Sequence, residues 1–185
     1  MNGGSMKLKS LLVVLLFFGA TLAFAQAPAP PHPGPEHEIL KKEVGTWDAT
    51  VEMSPGPGAP PLVSQGIETN SLLGGMWLVT QFKSDMGGMP FEGHGISGWD
   101  AGKKKYSWTW VDSMSTGISL GEGTWDAAAQ AMTGWMEGPD MTGKVMRSKS
   151  VTQWKDADTR LFTISGTGPD GKEMSFLEIT YKRRK

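Results

Sequence analysis

Among the residues suited to proton transfer in this strand-rich chain, His94, Asp112, Ser113 and Glu178 are the candidates for a site. A general acid–base enzyme would draw on Asp112, His94 and Glu178. No fixed spacing ties them together. Asp112 ends an extended segment that opens into Ser113-Met114-Ser115, where turn capping accounts for an aspartate. Glu178 alternates with Leu177 and Ile179, which suits a solvent-facing carboxylate. If the Met174 and Phe176 face turns inward instead, Glu178 enters the interior and needs a partner such as Arg147 or Arg160.

Two strings imitate catalytic motifs. Gly117-Ile118-Ser119-Leu120-Gly121 spells G-x-S-x-G, but no histidine follows it and no helix pattern begins there. Gly138 to Lys144 spells G-x-x-x-x-G-K, but Val145 stands where a phosphate loop needs Ser or Thr. Met86, Met89 and His94 offer thioether and imidazole, the ligand types that suit cuprous copper. Methionine also fills irregular cores, and the placement of His94 is too loosely set to argue for haem. The sequence thus calls for no cofactor and no metal.

The strongest signal is aromatic. Tyr106, Trp108 and Trp110 alternate with Lys105, Ser107 and Thr109, so three rings share one face of a strand. The chain has eight tryptophans, more than a small core requires. The candidate pocket is therefore Tyr106, Trp108, Trp110, Asp112 and Glu178, around a small apolar ligand; if the rings pack on each other as core instead, the alternative is an interaction domain acting through its outer surface. Asp100, Ala101 and Gly102 make a turn before this strand. If Trp99 faces Lys104, Gly93 and Gly95 lie across from Trp110 and Trp108, and His94 points outward.

Strand and turn signals recur along most of the chain. Strands are expected at Trp47–Ser54, 62–71, 76–84, 91–99, 105–112, 117–124, 131–137, 144–154, 160–166 and 173–182. Trp47-Asp48, Trp99-Asp100 and Trp125-Asp126 each mark a strand boundary, with Trp154-Lys155-Asp156 as a looser copy. One short helix precedes them. Pro35 opens it, Glu36 and Glu38 sit in its first turn, Lys41 and Lys42 in its last, and Gly45 stops it. His37 lies at the edge of its apolar face. Sequential antiparallel strands make a sandwich or a closed barrel, and closure removes the exposed edges. The fold class is all-β: an antiparallel up-and-down barrel of about ten strands with one N-terminal helix.

The remaining bounds come from composition. Lys7 and Lys9, the uncharged run from Leu11 to Phe24 and Ala23-Phe24-Ala25 read as a signal peptide over residues 1–25. Residues 26–35 form a Pro/Ala-rich linker and residues 36–185 a single barrel domain. The protein is expected to be exported, periplasmic or secreted, with no stable membrane anchor after cleavage. Removing the signal, which holds two lysines and no acid, takes the net charge from −1 to −3. That charge argues against a nucleic-acid partner. The absence of cysteine excludes disulfides and thiolate chemistry.

Gly45-Thr46-Trp47 after a short helix, followed by a meander with a basic end, resembles the calycin superfamily of lipocalin-like barrels. In that superfamily the G-x-W tryptophan closes one end of the barrel beneath a basic side chain of the last strand. The resemblance assigns these barrel-closing roles to Trp47 and to Arg183 or Arg184. The strings P-E-H-E-I-L-K-K-E-V-G-T-W, W-V-D-S-M-S-T-G-I and D-G-K-E-M-S-F-L-E-I-T-Y-K-R are similar to a bacterial family of exported proteins of unknown function. That likeness spans most of the chain and implies a barrel without an established activity. Amino-terminal sequencing of the exported protein is expected to begin at Gln26, and a start at or before Phe24 would overturn the assigned cleavage site.

Overall fold

A computed structural model describes residues 30–56, 58–140, 143–168 and 171–185. The signal segment and residues 26–29 of the linker lie outside the described residues. A 3₁₀ turn, Pro35–His37, runs into helix α1, Glu38–Glu43. Ten strands follow: β1 Gly45–Met53, β2 Leu62–Leu73, β3 Trp77–Asp85, β4 Pro90–Asp100, β5 Lys105–Asp112, β6 Ser119–Asp126, β7 Ala131–Pro139, β8 Val145–Trp154, β9 Thr159–Thr167 and β10 Glu173–Arg183. Each pairs with its sequence neighbours, and β1 pairs with β10 to close the barrel. Closure leaves no strand with a free edge, which is how a meander of this length avoids edge-to-edge association.

The two ends of the barrel differ. The starts of odd-numbered strands and the ends of even-numbered ones lie at the end capped by α1. Here Ile39 and Leu40 of α1 join Trp47 and Trp154 in the core. His37 is buried, accepting a hydrogen bond at Nδ1 from the Gly34 amide (2.9 Å). It therefore does not stand at the helix edge as the sequence suggests: the preceding Gly34 folds back over it.

The Trp-Asp repeat belongs to this end. Asp100 Oδ1 accepts from the amides of Gly102 and Lys103, both at 3.0 Å. Asp126 Oδ1 accepts from Ala128 (2.8 Å) and Ala129 (3.0 Å). Each turn then needs one left-handed residue, and Lys104 (φ 53°) and Gln130 (φ 49°) supply it. The β4–β5 turn is thus longer than a turn centred on Asp100 to Gly102. The register moves by two residues: Trp99 pairs with Tyr106, Gly95 with Trp110 and Gly93 with Asp112. An even shift leaves every side chain on its expected face. The basic run here stays on the outer surface, where Lys103 and Lys105 pair with Glu122.

Trp47 is fully buried. Its indole Nε1 donates to the Glu43 carbonyl (2.8 Å), tying β1 to the helix. It pairs with Arg183, whose guanidinium carbon lies 4.1 Å from the ring centroid. Arg183 also donates to the carbonyls of Val44 and Lys42, both at 2.7 Å. Arg184, one residue on, points the other way and pairs with Asp48. Strand alternation therefore puts Arg183, not Arg184, over the Trp47 ring. Trp47→Ala is expected to cost about 3–5 kcal/mol of stability, read by urea denaturation, and a loss below about 1 kcal/mol would show that this plug does not hold the barrel end.

Candidate functional site: a cavity with a charged floor

Inside the barrel lies a cavity of about 240 Å³. Its size depends on how the tryptophans lie. A Cβ at Gly121 would stand 2.1 Å from Trp108 Nε1, and one at Gly134 would stand 2.7 Å from Trp108 Cη2. A Cβ at Gly93 would stand 2.1 Å from Trp110 Cζ2, and one at Gly95 would stand 3.2 Å from Trp110 Cε3. The rings therefore lie across bare backbone on β4, β6 and β7. Lying flat against the wall, they leave space that upright rings would fill.

Tyr106, Trp108 and Trp110 all line the cavity, joined by Phe82, Phe91 and Phe162 from other strands. Tyr106 sits towards the helix, where its hydroxyl donates to the Glu36 carbonyl (2.6 Å). Burial, and then the charge of Glu36, raises its pKa. Asp112 takes a supporting position: its Oδ2 accepts from Trp110 Nε1 (3.0 Å) and its Oδ1 from the Met114 amide (2.9 Å). It fixes the Trp110 ring rather than lining the space.

Glu178 does not join the pocket. Leu177, Ile179 and Tyr181 provide the inward face of β10, and Glu178 alternates to the outer one, opposite Glu52 and Thr163. His94 is also outside, half exposed and 3.2 Å from Glu92 Oε1. The three acid–base residues are thus not brought together. Met86 lines the cavity, whereas Met89 is exposed and His94 faces away, so the thioethers and imidazole do not converge. Ser119 of G-x-S-x-G lies in strand β6, and Gly138 to Lys144 runs from the end of β7 through the β7–β8 connection, whose Met141 and Thr142 lie outside the described residues.

The sequence concealed the floor. Arg160, at 4% exposure, pairs with Glu68 and with Glu43 Oε2 (3.1 Å). Asn70 Nδ2 donates to Glu68 Oε1 (2.6 Å) and to the Glu43 carbonyl (3.1 Å). The Arg160 guanidinium also lies 4.0 Å from the Tyr181 ring centroid and 4.8 Å from that of Trp47. Burial works against the charge of Arg160, but Glu68 and Glu43 outweigh it and hold its pKa above the ordinary value. Burial raises the pKa of Glu43, with Arg160 opposing. Burial, and then the charge of Glu68, pushes Tyr181 well up. The one available signal was inward alternation: Glu68 and Asn70 occupy the same face of β2 as Leu72. The sequence offers Arg160 only as a partner for Glu178, and Arg147 instead lies over Trp135, 4.3 Å from its centroid.

A family described as a protein of unknown function, DUF1579, matches residues 32–183. The chain belongs to this family. No curated protein matches the sequence. Among solved structures, Rv2717c from M. tuberculosis superposes with a TM-score of 0.61 at 11% identity, covering 82% of this chain and 99% of that one. The S-type phycobiliprotein lyase CPES from Guillardia theta gives a TM-score of 0.55 at 11% identity, covering 83% of this chain and 99% of that one. At such identities the likeness is one of fold.

Arg160→Met is expected to destabilise the protein by about 3–5 kcal/mol, since it removes the cation that faces buried Glu68 and half-buried Glu43. Urea denaturation checks this, and a loss below about 1 kcal/mol would show that the cluster is not a buried ion network.

Proposed function

We propose that this protein is an exported barrel that takes one small, largely apolar molecule into its interior. The cavity left free by the flattened rings of Trp108 and Trp110 carries this reading. Its volume, about 240 Å³, falls just below the roughly 300–1,000 Å³ of most small-molecule sites. A compact occupant fits. Aromatic and thioether side chains, Phe82, Phe162, Met132 and Met136 among them, give that occupant dispersion contacts without demanding a fixed shape.

The phycobiliprotein lyase of similar fold supports the idea that a barrel of this build can serve a small-molecule chemistry. Binding rather than catalysis is the better reading here, because Asp112, His94 and Glu178 lie on β5, β4 and β10 and do not converge. Exposed apolar side chains ring the end away from α1, including Leu62, Met89, Met114, Ile118 and Val145. They surround the mouth through which an apolar ligand would pass.

Titration with a small apolar fluorescent probe should give saturable binding at about micromolar affinity, roughly −8 kcal/mol. Trp108→Ala and Trp110→Ala should change that affinity more than Trp125→Ala, which lies near the end of β6. Absence of saturable binding across chemically varied probes, or indifference to Trp108 and Trp110, would sink the reading.

A further inference from the structure

The cavity has two unlike ends. Most of its wall is aromatic or aliphatic, but Glu43, Glu68 and Arg160 line it beneath the helix. Two carboxylates there meet one guanidinium. The other ionisable group acting on Arg160 is Tyr181, which burial keeps neutral. The nearby Arg183 is committed to backbone carbonyls and to Asp158. The floor is neutral when one carboxyl holds a proton and negative when neither does. It carries no positive excess in either state.

Arg160 also has an unused donor. Its Nε is buried without a hydrogen-bond partner, although the residue lines the cavity. An N–H in that position costs free energy until an acceptor reaches it. Beside it the carboxylates can accept. Glu43 is the more accessible, with 21% of its side chain exposed against 7% for Glu68. A fitting head group must accept from Arg160 and donate to a carboxylate without adding negative charge. A hydroxyl or a primary amide does both. An ammonium only donates, and a carboxylate only accepts while bringing a further negative charge among the two already present.

Building on the binding role above, we propose that the cavity selects apolar molecules that end in a neutral hydroxyl or amide, seated against Arg160, Glu43 and Glu68, and discriminates against the corresponding carboxylic acids. The selectivity is electrostatic and belongs to the floor. It is separable from the apolar wall, which treats chains of one length alike.

Displacement of the apolar fluorescent probe by octanol, octanamide, octylamine and octanoate tests this. The alcohol and the amide should compete at least about tenfold better than the acid, the size of one charge-assisted hydrogen bond. A dry cavity alone would also disfavour octanoate, so the deciding arm is Glu68→Gln, with Glu43→Gln at pH 8 as the second variant should the first fail to fold. Removing one negative charge should raise octanoate affinity about tenfold and change octanol less than about threefold. Octanoate affinity unchanged in the folded variants, or octylamine binding more tightly than octanol in the wild type, would overturn the proposal while leaving apolar binding intact. Failure of the probe itself to bind would overturn both readings.

Discussion

A single buried positive charge, Arg160, joins more of this protein than any other described side chain. It pairs with Glu43 of α1 and Glu68 of β2, and lies against the rings of Trp47, Trp154 and Tyr181. Helix, first strands and last strands thus meet at one guanidinium. Burying that charge costs several kcal/mol by itself. The two carboxylates and three rings offset the cost only while all of these elements are in place, so the closed end is cooperative by construction.

The same end is plugged by Trp47. Its indole N–H reaches the helix, and Arg183 from the last strand both lies against its ring and binds the helix carbonyls. A short helix has little stability of its own. α1 is retained because the last strand satisfies its free carbonyls and the barrel rim buries Ile39 and Leu40. At the opposite end, among the described residues, apolar side chains such as Leu62, Ile118 and Val145 are exposed. In the binding role proposed above, the α1 end is the floor and the other end the mouth.

Between them, glycine decides the volume. Large rings in a barrel of this size would ordinarily fill it. Gly93, Gly95, Gly121 and Gly134 remove the Cβ atoms that would hold Trp108 and Trp110 away from the wall. Tryptophan next to glycine across strands therefore signals space here rather than filling.

The fold was legible in the chain because it rests on local rules. Period-two alternation set the strands, the Asp-led turns set their boundaries, and an antiparallel meander must hide its two outer edges. Tyr106, Trp108 and Trp110 could be placed for the same reason, since residues two apart share a face whatever the register. Register itself was less secure: the β4–β5 turn runs two residues longer than its Asp-Ala-Gly core suggests, because Lys104 accepts the left-handed position that glycine usually takes. The floor was barely legible, hinted at only by the inward alternation of Glu68 and Asn70 with Leu72. Glu43, Glu68 and Arg160 are far apart in sequence, and each alone resembles an ordinary surface charge. Only closure of the barrel brings them together, and only burial gives their shared charge the strength to shape what the cavity can hold.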